Sequence, residues 1–182
     1  MIFIGVGSNL GGRWEALMQA WRLLERFGVR VRGSSPVYET RPWGVANQPF
    51  YLNAVWEVQT ELSPEALLYL LKKVEEHLGR PSQLSCRWGA RIIDLDLLTY
   101  GAEERSTPTL MLPHPWIPYR PFVLGPWNDL APYFYLRKWG ATIAELWQRC
   151  YAVDWGYRVN PPPSIVLPPI LSLPIPPAGR PY

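Results

Sequence analysis

The hydrophobic periodicity of this chain alternates between two and 3.6 in a set order over its first hundred residues, and that order limits the fold more than any other property of the sequence. Met1 to Val6 is a short apolar run, a buried strand, ending in the turn Gly7-Ser8-Asn9-Leu10-Gly11-Gly12. Trp14, Leu17, Met18, Trp21 and Leu24 then recur at helical spacing, with Arg13, Glu15, Arg22 and Arg26 off the stripe and Gly28 at its end. Val29, Val31 and Val37 mark a second strand running to about Tyr38, and Tyr51 to Thr60 alternates as a third. Ser63-Pro64-Glu65 opens a second helix with a capping hydroxyl, proline at the first position and an acid in the first turn. Its buried stripe is Leu67, Leu70, Leu71, Val74 and Leu78, and Gly79 stops it. Ile92 to Tyr100 is a fourth strand. Strand, helix, strand, strand, helix, strand is the split βαβ plan of a ferredoxin-like sandwich. The expected fold class is therefore α+β, with helices packed on a mostly antiparallel sheet.

The segments between and beyond these elements carry their own signals. Residues 39–50 hold Pro42, Gly44 and Pro49 among Trp43 and Asn47, a loop long enough to be a working one. Residues 80–91 form a second loop with Arg80, Arg87 and Arg91 and no apolar run. Leu110 to Leu112 reads as a short fifth strand and Pro121 to Trp127 as a short helix, while Thr142-Ile143-Ala144-Glu145 is a capping box opening a last helix to about Cys150. Nine of the last 32 residues are proline, a density that neither a helix nor a central strand tolerates. The expected division is a domain over 1–155 and a Pro-rich tail over 156–182. The tail is either an extended strap along the domain or a disordered end, and the apolar Ile165-Val166-Leu167 and Ile170-Leu171 favour partial packing.

Composition narrows the function. A length of 182 residues suits one domain, or one with a tail, at roughly 150 residues per domain. The net charge of +3, from 18 basic and 15 acidic side chains, is too small a surplus for a nucleic-acid coat or a membrane-surface binder, so neither partner is expected. Only Lys72, Lys73 and Lys138 are lysines; the other basic residues are arginines, the better fork for phosphate oxygens. Cys86 and Cys150 form no Cys-x-x-Cys and indicate neither zinc nor a disulfide framework. No apolar run approaches the roughly 18 residues of a membrane helix, and the apolar start is too short for a signal segment. A cytoplasmic protein is expected.

The densest chemistry lies in Arg87-Trp88-Gly89-Ala90-Arg91-Ile92-Ile93-Asp94-Leu95-Asp96-Leu97-Leu98. On a strand, Asp94 and Asp96 point one way while Ile93, Leu95 and Leu97 enter the core. Two like charges about 7 Å apart repel unless a cation lies between them, and Mg²⁺ bound by carboxylates and substrate phosphates supplies one. The competing reading is the solvent face of an edge strand; the arginines just upstream favour phosphate and metal. Pro113-His114-Pro115 and Arg120 sit on a Pro-constrained turn where a phosphate could take a hydrogen bond from each, although a lone histidine also serves as a structural residue. Thr40, Trp43, Tyr51 and Asn53 come from the long loop and third strand. Tyr51 and Asn53 share a face, a flat aromatic beside an amide, which suits a planar nitrogen heterocycle; an aromatic packed in the core beside an edge asparagine is the alternative. Gly5-Val6-Gly7-Ser8-Asn9-Leu10 lacks the third glycine of a dinucleotide fingerprint, and no Walker lysine pattern exists.

Several of these segments, in this order, resemble the 6-hydroxymethyl-7,8-dihydropterin pyrophosphokinase family: Gly7-Ser8-Asn9-Leu10-Gly11, Thr40 to Asn53 with Gln48-Pro49-Phe50-Tyr51-Leu52-Asn53, Arg87 to Leu98, Pro113-His114-Pro115 and Arg120 to Leu124. The resemblance spans roughly residues 1 to 150. It implies transfer of the β,γ-diphosphate of ATP to the hydroxymethyl oxygen of the reduced pterin, leaving AMP, with two Mg²⁺, in folate biosynthesis. By position it implies Asp94 and Asp96 as metal ligands, Asn53 on the pterin edge, Tyr51 and Phe122 as a sandwich for its ring, and the Thr40 to Trp43 backbone nearby. Arg80, Arg87, Arg91, His114 and Arg120 would hold phosphates, with Arg91 ahead of Arg80 as the transition-state arginine, and adenine would lie against backbone near Leu97 and Met111. Monomeric action is expected.

This chain also departs from the family pattern. Ser82, Trp116 and Pro118 stand where basic residues are common, which puts ATP affinity in question, and Arg41 and Trp43 alter the pterin loop. Two rivals remain at this level. A polymerase-like nucleotidyl transferase would show a basic stripe that three lysines do not supply. A binding module working through the Pro-rich tail would not need an intact acid pair.

Overall fold

The computed structural model describes residues 1–42, 47–79, 89–150 and 155–165. The chain opens with β1 (Ile2–Ser8), buried along its whole length, and α1 (Arg13–Arg26), which lays Leu17, Met18, Trp21 and Leu24 on the sheet. The single second strand expected from the valines is two, β2 (Arg30–Ser34) and β3 (Val37–Thr40). The break falls at Ser35-Pro36, because proline has no N–H for a ladder. Ser35 bridges it: its own N–H donates to the Val55 carbonyl at 2.9 Å, and its hydroxyl accepts the Val55 N–H at 2.9 Å. Both strands pair with β4 (Tyr51–Gln59). Next come α2 (Pro64–His77), capped by the Ser63 hydroxyl, and β5 (Asp94–Tyr100).

All pairings in the main sheet are antiparallel, and β4 lies between β1 and the β2–β3 pair, as the split plan requires. Beyond β5, β6 (Arg105–Ser106) and β7 (Met111–Leu112) form a separate small hairpin, so the expected fifth strand exists but does not join the main sheet. A 3-10 turn at Ile117–Tyr119 leads into α3 (Pro121–Leu130), which runs three residues past Trp127 and contains Pro126. The short pair β8 (Tyr135–Leu136) and β9 (Ala141–Thr142) precedes α4 (Ile143–Arg149), held by the expected Thr142–Glu145 capping box. Past the compositional boundary at 155, β10 (Gly156–Val159) pairs with β3 at the sheet edge, ahead of the first proline run. Among the described residues no helix is long and apolar enough to cross a membrane.

Strand alternation sorts the core into two. Ile4, Val6, Trp56, Ile93, Leu95 and Leu97 face α1 and α2, whereas Phe3, Val55 and Leu98 face α3 and α4. Leu98 stands on the second face by simple alternation with Asp94 and Asp96, and a bulge follows there: Ile4 pairs with Leu97 and Phe3 with Thr99, leaving Leu98 as the extra residue. On that second face Phe3 packs between Trp127 and Phe134, each at a centroid distance of 4.9 Å. Farther along the same face of β1, Gly5 and Gly7 carry no side chain, and the apolar packing gives way to a cleft.

Candidate active site

The cleft encloses about 390 Å³ over the middle of the sheet. Its floor is set by strand register. Gly7 of β1 pairs with Asn53 on one side and Asp94 on the other, and Gly5 pairs with Val55 and Asp96. Two bare glycines thus separate an amide and aromatic on β4 from two carboxylates on β5. With strands about 4.8 Å apart, the amide and acid rows stand two strand spacings apart across an open floor. Gly7 is required there: a Cβ would lie 2.7 Å from the Asn53 Oδ1.

On the acid side the alternation expected from the sequence holds. Ile93, Leu95 and Leu97 are buried among the helices, and Asp94 and Asp96 both line the cleft. Each acid meets an arginine, Asp94 with the Arg91 Nη1 at 2.8 Å and Asp96 with the Arg120 Nη1 at 2.7 Å. Burial alone would raise the Asp96 carboxyl, but Arg120, His114 and Lys72 together outweigh it and hold the group below the ordinary carboxylate value. Burial would likewise lower the Arg91 guanidinium, and Asp94, with Tyr51 and Glu75, more than offsets this. Burial dominates at His114 and lowers its pKa. Its Nδ1 accepts the Trp116 N–H at 3.2 Å, so the neutral ring carries its proton on Nε2. Among the described residues no three His, Cys, Asp or Glu side chains converge. Two hard carboxylates in an open, arginine-lined cleft fit a cation such as Mg²⁺ that completes its shell with water and phosphate oxygens, and do not fit a closed protein cage.

On the β4 side, Asn53 is buried and its Nδ2 donates to the Thr40 hydroxyl at 2.7 Å. That bond fixes the amide so that Oδ1 stands over Gly7 as an acceptor. Tyr51 and Phe122 line the same cleft, together with Arg41 and Gln48. The structure thus brings together Thr40, Tyr51, Asn53, Arg91, Asp94, Asp96, His114, Arg120 and Phe122. Leu97 and Met111 do not line it: the Leu97 side chain belongs to the helix-side core, and Met111 lies exposed on the β6–β7 hairpin. Trp43, Arg80 and Arg87 lie outside the described residues.

Three supporting features escape a reading of the sequence. Asn9, 1% exposed, ties three segments together: its Oδ1 accepts the Arg91 N–H at 2.6 Å, its own N–H donates to the Arg91 carbonyl at 3.0 Å, and its Nδ2 reaches the Gln48 Oε1 at 3.1 Å. An asparagine directly after a strand reads as a turn residue, and nothing local reveals partners 39 and 82 residues away. Second, Gly5 and Gly7 failed as a nucleotide fingerprint, yet glycines two apart in a strand are themselves the signal of a side-chain-free face.

The third feature is Glu75. Among the described residues β5 is an edge strand of the sheet, and between its two acids Leu95 turns its N–H and carbonyl outward. The buried Glu75 carboxylate accepts that N–H at 2.7 Å and pairs with Lys72 at 3.1 Å, while the Lys72 Nζ stands 3.5 Å from the Leu95 carbonyl. A helix side-chain pair thereby substitutes for a neighbouring strand beside the acids. Glu75→Ala is expected to lower stability by about 1–3 kcal/mol, the cost of a stranded buried donor, with Glu75→Gln losing less. Urea unfolding checks this, and equal losses in the two variants would count against the clamp.

Fold and cleft together define an α+β sandwich whose antiparallel sheet carries an acid- and arginine-lined cleft. A solved Plasmodium falciparum HPPK-DHPS structure, wild type with pteroate, shares the fold with a TM-score of 0.64 at 14% identity, over 81% of this chain and 42% of that one. The chain belongs to the 7,8-dihydro-6-hydroxymethylpterin-pyrophosphokinase family, whose model matches residues 3–132. A 2-amino-4-hydroxy-6-hydroxymethyldihydropteridine pyrophosphokinase of Bacillus subtilis is 42% identical over 130 residues, 71% of this chain and 77% of that protein. One of Methylorubrum extorquens is 40% identical over 144 residues, 79% and 89% of the two chains. A folate synthesis bifunctional protein of Arabidopsis thaliana is 42% identical over 129 residues, 71% of this chain but only 26% of that protein. The chain therefore spans about a quarter of the longer relative and most of the shorter ones.

Proposed function

We propose that the cleft joins ATP and 6-hydroxymethyl-7,8-dihydropterin side by side, so that the pterin hydroxymethyl oxygen takes the β,γ-diphosphate and AMP departs. The observation that carries this reading is the row Asn53, Gly7, Asp94, which sets an amide and a carboxylate on one floor, separated by a residue without a side chain. Asn53 offers Oδ1 to the donor edge of the pterin, its orientation locked by Thr40. Tyr51 and Phe122 enclose the ring, with the backbone of the Thr40 to Trp43 segment alongside.

Asp94 and Asp96 would hold two Mg²⁺, which when bound neutralise charge on the triphosphate. The residues around them do the alignment. Arg91 and Arg120 exchange their carboxylate partners for phosphate oxygens, one charge-assisted pair replacing another. His114, neutral with its proton on Nε2, donates to a phosphate oxygen without adding charge. Arg80 and Arg87 are assigned to the same phosphates, and adenine to backbone near Leu97 and Met111. Phosphoryl chemistry of this kind leaves the protein little covalent work, so rate comes from alignment and charge neutralisation. Monomeric action and a cytoplasmic setting complete the reading.

The test is AMP release on mixing the protein with ATP, Mg²⁺ and 6-hydroxymethyl-7,8-dihydropterin. AMP should appear one for one with the pterin diphosphate and only when pterin is present; ADP, or AMP independent of pterin, would overturn the assignment.

A further inference from the structure

We propose that the C-terminal strand β10 is a working wall of the heterocycle half, with Trp155, Gly156 and Tyr157 as positioning residues that hold Thr40 and residues 47–51 in receiving geometry. The proposal rests on the pterin reading above but involves residues beyond the matched span of 3–132. Without β10, Val37–Thr40 would be a four-residue edge strand, and a short edge frays. With β10 in place, Gly156 pairs with Thr40 and Tyr157 with Glu39.

Three contacts transmit this to the cleft. Gly156 allows the closest approach: a Cβ there would fall 2.6 Å from the Glu39 carbonyl oxygen and 2.8 Å from the Thr40 Cγ2. Thr40 is thus confined between Gly156 and the Asn53 amide that its hydroxyl accepts. Trp155 anchors the strand, stacked on Tyr38 at 4.8 Å and edge-on to Trp147 at 5.1 Å, in a slot that exists because Gly125 of α3 has no side chain. Tyr157 donates to the Glu39 carboxylate, which also accepts the Arg13 Nη1 at 2.6 Å, and the same Nη1 donates to the Phe50 carbonyl at 2.7 Å. A continuous chain of polar contacts therefore runs from the tail to the backbone just before Tyr51. Arg158 reinforces the anchor by donating to the Tyr38 hydroxyl at 2.8 Å and to Asp129 at 2.7 Å.

Tyr157→Phe removes one hydroxyl from a half-exposed ring and should leave the fold intact. It is expected to raise the KM for the pterin about three- to tenfold, with the KM for ATP changed less than about twofold. Gly156→Ala should act in the same direction and more strongly, and Tyr133→Phe, on a side chain 84% exposed and remote from the chain of contacts, should change neither. Without substrates, amide hydrogen exchange at residues 50–52 should quicken in Tyr157→Phe. Equal shifts in both KM values, or unchanged exchange at 50–52, would overturn the proposal. A wild-type protein that releases no AMP would sink the reaction alone, since the exchange comparison is read without substrate.

Discussion

Asp96→Ala is expected to lower pterin-dependent AMP release by about a thousandfold or more, with the protein still folded. Asp96 pairs with Arg120 at 2.7 Å, and its side chain is 27% exposed, so the group is partly desolvated and its charge is balanced by specific neighbours. Those neighbours keep it ionised: its carboxyl titrates below the ordinary 3.8. A depressed folded pKa gives stability that is full above the unfolded value and lost as pH falls through the folded one. At neutral pH the wild-type protein therefore has that contribution in full, and an Asp96→Asn variant does not. Asp96→Asn preserves shape and discards charge, so it separates the two roles. It should be as inactive as the alanine variant, its thermal unfolding at pH 7 should come at a lower temperature because the charge contribution is gone, and Asp94→Ala should match it in activity. Near-normal AMP production by any of the three would remove the carboxylates from the reaction.

The second large effect falls on a residue with no side chain. Gly7→Ala should reduce turnover about a hundredfold, chiefly through pterin binding. The added methyl would sit 2.7 Å from the Asn53 Oδ1, near the C-terminal end of β1, where Gly7 is held between two flanking ladders. The Asn53 amide would have to give way, breaking its bond to Thr40 and turning its acceptor from the heterocycle. Gly5→Ala meets only Leu98 methyl carbons at 3.5 and 3.7 Å, an ordinary contact, and should lose much less. Isothermal titration of 6-hydroxymethylpterin in the presence of a non-hydrolysable ATP analogue distinguishes them: unchanged pterin affinity in Gly7→Ala would contradict the placement of the heterocycle over that glycine.

The departures from the family pattern acquire positions. Trp116 lines the cleft and Pro118 belongs to the 3-10 turn beside it, so neither is a remote surface change. Lys72, by contrast, stands close enough to Asp96 and His114 to influence both titrations, and brings positive charge to this region from α2 rather than from the turn.

What the sequence determined by itself is what neighbouring residues dictate to one another. The alternation of Ile93, Asp94, Leu95, Asp96 and Leu97 settles which side chains share a face, because successive residues of any strand point oppositely. Ser63 and Thr142 announce their helices because a cap joins groups only three residues apart. The order of elements followed from such local periods, and with it the α+β class. Tertiary structure alone decided the rest. The valines could not show that Ser35 would bridge the break at Pro36, nor could the proline-rich composition show that Gly156–Val159 would close the sheet against β3. The row of Asn53, Gly7 and Asp94 depends on the register of three strands from distant parts of the chain, and the grips of Asn9 and Glu75 on distant backbone depend on how the chain closes. Such contacts form only when the whole hydrophobic surface is buried at once, and that long-range closure leaves no signature in adjacent letters.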